Sequence, residues 1–340
     1  MTVDLGAWAA AVPAEVVERL RTARTVLSVG HENPDGDSLG ASIAVALVVE
    51  ELGGSADVVC GDPVPSAYSY LPDAGRVKAS PDPGTEYDLV VVSDCGTLDR
   101  IGPVRYAHAE LFGRLPHLII DHHASNDHDE PGSWIDPGAA ATCEMVALLA
   151  ARLGVRLDAA DGRLAMALMS GIVMDTATFA HPNATPRTLV VAAALLEAGG
   201  PLSEISRRLY RTKPDPQLRL FGVVLARSAT TPDGSVVYST LTDADLVAAG
   251  AAPEHSEGII DLLAQSETAE VAILVKEADG GSRLSVRTKP GGVDATVLTG
   301  IFGGGGHARA AGASLDLPVE AATDAVLRES TRLAGAVRRP

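Results

Sequence analysis

Short apolar, β-branched runs alternate with longer apolar stretches through the first two thirds of the chain, the order expected of an α/β domain. Arg24 to Gly30 (R-T-V-L-S-V-G), Ala56 to Cys60, Tyr87 to Ser93 (Y-D-L-V-V-V-S) and Pro116 to Ile120 read as strands. Ser38 to Leu52, closed by Gly53 and Gly54, reads as a helix, as do Ala140 to Leu153, ended by Gly154, and Arg163 to Val173. The strands are apolar on both faces, which suits a buried parallel sheet. Thr188 to Ala198 and Leu202 to Tyr210 read as two further helices, split by Gly199-Gly200-Pro201. The charged, proline-bearing segment Arg207 to Arg219 reads as a connector. The last third changes texture. Ser235 to Leu241, Val271 to Glu277 and Arg283 to Thr288 look like antiparallel strands, with helix at Ile259 to Leu263. No internal repeat is present, and the low-complexity tract is the glycine run Gly303 to Gly306.

A length of 340 residues exceeds one ordinary core and suits two domains. Cys60, Cys95 and Cys143 are odd in number and widely spaced, which argues against a disulfide framework or a structural zinc site and for a reducing cytoplasm. Cys95, although next to Asp94, reads as a small buried residue. No apolar run is long enough to span a membrane, and Met1 to Ala14 lacks the basic start and apolar core of a signal peptide. The net charge of −17 excludes a broad basic surface for long nucleic acid. A phosphate-ester substrate would therefore be small or short, held by a few placed cations and by metal.

Three motifs fall at the carboxyl ends of expected strands, where open α/β sheets place their ligand crevice. His31, Asp35 and Asp37 follow the first strand in H-E-N-P-D-G-D, Asp94 ends the third in V-V-V-S-D, and Asp121, His122 and His123 follow the fourth in I-I-D-H-H. Asp175 ends an apolar helix in G-I-V-M-D-T. Carboxylate and imidazole donors without thiolate suit Mn²⁺, with Mg²⁺ or Co²⁺ as alternatives. Two such ions need a bridging carboxylate, and together they can activate a water for phosphoryl displacement. Each motif alone has a plainer explanation: a lone Asp after a strand is commonly a helix cap, and Asp37 with Ser38 is a candidate for that. The joint occurrence of four motifs carries the functional reading. A zinc-only hydrolase would use fewer carboxylates and more histidines.

These motifs resemble the DHH phosphoesterase superfamily. The segment Phe302 to Gly312, F-G-G-G-G-H-A-R-A-A-G, resembles the signature of its associated C-terminal domain. Length and spacing are similar to the NrnA-type nanoRNases, which are oligoribonucleases and 3′-phosphoadenosine-5′-phosphate (pAp) phosphatases. The resemblance implies an N-terminal, mostly parallel-sheet metal domain (1–190), a helical connector (191–225) and a smaller α/β substrate domain (226–340), with a cleft between the domains. It implies that His31 and Asp35 bind one Mn²⁺, that Asp37, His122 and Asp175 bind the other, and that Asp94 bridges. Asp121 would orient the histidines, and His123 would face the scissile phosphate. Arg287, Gly305, Gly306 and His307 would hold a terminal phosphate and base, with Asn183 and Arg309 as further contacts. The cations Arg207, Arg208, Arg211 and Lys213 read as a solvated face.

The implied activity is hydrolysis of short RNA to nucleoside monophosphates, of pAp to AMP, or both. Cyclic or linear dinucleotides (c-di-AMP, pApA) are the alternative substrates, and a homodimer is expected from the family alone. A pyrophosphatase or polyphosphatase would carry a different C-terminal domain. A RecJ-type exonuclease would be larger and more basic, and a non-catalytic nucleotide sensor would have lost metal ligands.

Overall fold

In the computed structural model, which describes residues 3–126, 132–278 and 280–337, the chain divides into two compact units, with the boundary between Thr212 and Lys213. The first is built on β1 (Thr25–Val29), β2 (Ser55–Val59), β3 (Leu89–Ser93), β4 (His117–Asp121) and β5 (Trp134–Ile135). Their order in the sheet is β2-β1-β3-β4-β5, and every pairing is parallel. Apolar residues alternate between two cores, as the two-residue period of a strand requires. Val26, Leu89, Val91, Leu118 and Ile120 point to one side, and Leu27, Val29, Val90, Val92 and Ile119 to the other. The first side is covered by the helices Gly36–Glu51, Thr142–Leu153 and Arg163–Asp175. The Gly36–Glu51 helix is buried on every side from Gly36 to Val49, which explains why its sequence is apolar all round rather than striped.

The chain leaves β1 for β2 on one side and then crosses to β3 on the other. The carboxyl ends of β1 and β3 therefore lie side by side at the point where the winding reverses, and the crevice forms there. β5 was not evident from the sequence, being two residues long.

The second unit holds a mixed sheet of β6 (Ala229–Thr230), β7 (Val236–Leu241), β8 (Val271–Ala278), β9 (Gly281–Thr288), β10 (Gly305–His307) and β11 (Ala310–Leu315), in the order β10-β11-β9-β8-β7-β6. Here the expectation of antiparallel strands needs correction. β8 and β9 are antiparallel, but β7 and β8 are parallel, with Val236 opposite Val271. The reason is the connection between them, where helices at Asp243–Ala249 and Ile259–Leu263 carry the chain back across the sheet. The Val319–Val337 helix packs on one face, and Asp215–Ala226 with Ile259–Leu263 on the other. The glycine run is not a free loop, because Gly305 to His307 pair with β11. Of the segment read as a connector, Leu202–Tyr210 belongs to the first unit and Asp215–Ala226 to the second. Among the described residues no single helix is long and apolar enough to cross a membrane.

Candidate metal centre

Asp35 starts the helix that follows β1. In extended backbone, it accepts the N–H groups of Asp37 and Ser38 on Oδ1, both at 3.0 Å. The cap is therefore Asp35, not Asp37, and the helix begins at Gly36, two residues before the expected Ser38. The other oxygen, Oδ2, lies 3.8 Å from His31 Nε2. His31 Nδ1 sits 2.7 Å from the Glu32 carbonyl, which can only accept, so Nδ1 carries a proton and Nε2 is left as the free donor atom of the neutral ring.

Asp94 follows β3 with φ +60°, a left-handed conformation uncommon outside glycine, held by its N–H donating to Ile120 O at 3.0 Å. Its Oδ2 lies 3.6 Å from His31 Nε2 and its Oδ1 3.4 Å from His122 Nε2. One buried carboxylate thus addresses two histidines from two different strand ends.

Asp37 is fully buried. Its carboxylate accepts Thr142 N–H at 2.6 Å and Cys143 N–H at 2.9 Å, the first amides of the Thr142–Leu153 helix, where the helix dipole favours a negative charge. Gly171 makes room for this, since a Cβ there would sit 2.9 Å from Asp37 Cα. Asp175 Oδ2 lies 3.2 Å from His122 Nε2, and Asp37 Oδ2 lies 4.0 Å from it. Immediately beyond Asp175, Ala177, Thr178 and Phe179 are all left-handed, a conformation rarely seen in consecutive residues.

The ligand atoms thus gather into triads that could each hold a metal ion: His31, Asp35 and Asp94; Asp37, His122 and Asp175; and Asp94, His122 and His123. The charge balance fits cations. Burial and the neighbouring Asp94 push Asp37 up to about 7, and burial with Asp37 and Asp94 pushes Asp175 up to about 10. Burial opposes charge on His31, yet Asp35 and Asp94 outweigh it and raise the ring to about 10. His122, likewise opposed by burial, is raised to about 10, chiefly by Asp94 and Asp37. Burial also opposes ionisation of Asp94, but His122 and His31 hold its carboxyl well below the usual range. So many carboxylates crowded out of water demand positive charge among them.

Asp121, fully buried, accepts His123 Nδ1 at 2.8 Å on one oxygen and Asn126 Nδ2 at 2.6 Å on the other. Among the described hydrogen bonds it orients His123, not both histidines. A cavity of about 260 Å³ is lined by five of the six expected ligands, with Asp37 behind them, and by His123, Asn183 and Arg100. Asn183 donates its amide to Ala140 O at 3.1 Å and to Asp175 O at 3.3 Å, which fastens the backbone around Asp175. Cys95 is buried and its thiol is pushed well up by burial.

The remaining expected residues lie in the second unit. Arg287 on β9 pairs with Asp261 at 2.9 Å and lines a separate cavity of about 550 Å³ with Gly305. Gly306 and His307 sit on the exposed β10 and do not line that cavity. Arg309 is also outside the lining, and its guanidinium donates to Lys289 O at 2.5 Å, bracing a loop. In the segment read as a solvated cationic face, Arg208 pairs with Glu204 at 2.7 Å and lies over the Tyr70 ring.

Residues 25–172 match the N-terminal domain of the DHH family. The bifunctional oligoribonuclease and PAP phosphatase NrnA of Thermus thermophilus is 33% identical to this chain, with 89% of each covered. The chain belongs to the DHH family. This DHH chain also matches the DHHA1 domain, over residues 233–334. Its similarity to the Bacillus subtilis protein of the same description is 26% identity over 88% of this chain and 92% of that one. A crystal structure of an exopolyphosphatase-related protein from Bacteroides fragilis shares the fold, with a TM-score of 0.84 at 20% identity, covering 97% of this chain and 99% of that one.

Sequence reasoning missed Arg100, Thr142 and Gly171 at the DHH site. Arg100 lies on a short 3-10 helix after Asp94, and its carbonyl accepts Glu32 N–H at 2.7 Å. Thr142 donates its hydroxyl to Asp94 Oδ1 at 3.2 Å as well as its N–H to Asp37. A β-branched hydroxyl residue opening a helix was the available signal, but nothing local ties it to a carboxylate so far away in sequence.

Proposed function

We propose that this DHH-family chain is a metal-dependent phosphoesterase that hydrolyses short oligoribonucleotides to nucleoside monophosphates and pAp to AMP. The observation that carries the reading is Asp94, whose two oxygens face the two histidine-carboxylate clusters separately. The substrate class follows the Thermus and Bacillus relatives, an oligoribonuclease and PAP phosphatase in each case.

In this reading His31 and Asp35 would hold one Mn²⁺, Asp37, His122 and Asp175 would hold a second, and Asp94 would serve both, with Mg²⁺ or Co²⁺ as substitutes. Ions held there supply charge stabilisation to phosphoryl oxygens and a nucleophilic water at neutral pH. The protein supplies the geometry. The Asp35 cap and the Glu32 carbonyl fix the first cluster, and the Thr142–Leu153 helix fixes Asp37. Asp121 holds His123 so that its Nε2 can meet the scissile phosphate, and Arg100 adds a cation at the same cavity. Arg287, Gly305, Gly306 and His307 serve the end of the substrate remote from the cut, with Asn183 and Arg309 holding backbone in place. The functional division we propose is a metal domain over 1–190, a helical connector over 191–225 and a substrate domain over 226–340. A net charge of −17 fits a short substrate and no long nucleic acid. Three buried free cysteines fit a reducing cytoplasm, and the homodimer expected of the family completes the reading.

The test is a competition among a short RNA, pAp, pApA and c-di-AMP with the purified chain and Mn²⁺. We expect Mn²⁺-dependent release of nucleoside monophosphates from the short RNA or pAp. Binding without hydrolysis of any of the four contradicts the proposal.

A further inference from the structure

The cavity of about 550 Å³ in the second unit has a cationic end whose purpose the fold does not explain. Along β9, Arg283, Ser285 and Arg287 share one face, while Leu284 and Val286 enter the core on the other. Lys276 on β8 is directly opposite Arg283 in the antiparallel ladder. Two like charges facing across a ladder destabilise it. This chain has 27 Lys and Arg against 44 Asp and Glu, so acidic partners are plentiful. Arg227 and Arg287 of the same unit take one each, Asp245 and Asp261. Lys276 and Arg283 take none among the described residues. Lys276 Nζ donates to Ser256 Oγ at 3.1 Å, and Ser256 itself lines the cavity. Gly303, Gly304 and Gly305 form part of the lining, which holds three cationic residues, Lys276, Arg283 and Arg287, and one acidic residue, Glu257.

Register separates this end from the residues already discussed. Ala310, next to His307 in the β10–β11 ladder, is opposite Arg287, whereas Ser314 is opposite Arg283. At about 3.4 Å per residue, the Cα atoms of Arg283 and Arg287 are about 14 Å apart along the strand, so the two side chains start from opposite ends of the cavity lining.

We propose that Lys276 and Arg283 form an anchor for a terminal phosphate monoester, so that the cavity selects linear nucleotides ending in a phosphate over unphosphorylated or cyclic ones. This rests on the reading of the chain as a phosphoesterase with its substrate site in the second unit. A monoester carries close to two negative charges at neutral pH, which an ammonium and a guanidinium side by side match. The volume falls within the range of small-molecule sites, and Ile260 and Leu274 provide apolar wall for a base.

The experiment measures calorimetric binding of pApA and ApA to the full chain in chelator, without metal, and then steady-state hydrolysis of both with Mn²⁺. We expect the wild type to bind pApA at least tenfold more tightly than ApA. The double variant Lys276→Gln, Arg283→Gln should lose that preference and leave ApA binding unchanged, with KM for pApA raised at least tenfold and kcat unaltered. The charge-conserving double variant Lys276→Arg, Arg283→Lys should keep most of the preference. A wild type with no preference for pApA, or a Gln variant that retains it, overturns the anchor. A wild type that prefers pApA in binding yet hydrolyses nothing supports the anchor and refutes the phosphoesterase reading.

Discussion

Thr142 donates its backbone N–H to Asp37 Oδ2 at 2.6 Å across 105 residues of sequence. The same residue donates its hydroxyl to Asp94 Oδ1 at 3.2 Å, so one helix start positions carboxylates from both clusters. Thr142→Val keeps the shape and the N–H but removes the hydroxyl. We expect kcat/KM and metal affinity to fall by about 10- to 100-fold, the usual cost of losing a group that orients a ligand. Thr142→Ser should keep most of the rate. Paired metal titration and steady-state kinetics read this out.

Asp121 is buried behind His123 and offers it a carboxylate oxygen at 2.8 Å. This contact raises the His123 pKa against the opposing effect of burial. Asp121→Asn removes the charge that favours the Nδ1 proton. A fall in kcat of about 10- to 100-fold is expected, with far-ultraviolet circular dichroism unchanged. Wild-type kcat in this variant would show that His123 needs no such support.

Much of this arrangement was legible in the sequence, and the reasons differ by element. The four long parallel strands stood out because a strand buried on both faces is a continuous apolar run, as in Leu89 to Ser93. The candidate metal ligands stood out because His31, Asp94 and His122 sit just after such runs. What stayed hidden depends on partners remote in sequence. The direction of β7 against β8 is set by the helices between them, and neither strand's residues encode it. The Asp37–Thr142 contact joins two segments with no common pattern. The left-handed run Ala177 to Phe179 contains no glycine and so carries none of the usual signal for that conformation. The Lys276–Arg283 pair emerged only with the register, since each reads alone as an ordinary exposed cation.

Gly304 is packed so closely that a Cβ would lie 2.5 Å from the Ala313 Cβ and closer still to the Gly312 carbonyl. Gly304→Ala must therefore push apart the chain entering β10 and the adjoining strand β11. We expect a loss of about 1–3 kcal/mol in urea unfolding, the usual cost of overpacking. A stability equal to wild type would contradict the close approach.

Asp245 binds Arg227 through two hydrogen bonds of 2.7 Å and accepts the Thr242 N–H and hydroxyl. The Arg227 guanidinium, against an opposing contribution from burial, lowers its pKa to about 2. The folded value lies below the unfolded one of about 4, so the stabilisation is complete above pH 4 and is lost as pH falls through 2. Allowing for the partly exposed Arg227, Asp245→Asn should cost about 1–2 kcal/mol at neutral pH. Chemical unfolding of the two proteins from pH 7 downward should show their difference shrinking below about pH 4. A difference that stays constant down to pH 2 would contradict the ion pair.

We propose that Asp94 joins two metal clusters in one hydrolytic site. Its direct test is Asp94→Ala, assayed for Mn²⁺-dependent hydrolysis of pAp and short RNA with Mn²⁺ stoichiometry measured on the same samples. We expect two Mn²⁺ per wild-type chain, and in the variant near-complete loss of hydrolysis with an intact fold. Substantial remaining activity, or hydrolysis by the wild type in the presence of chelator, would contradict it.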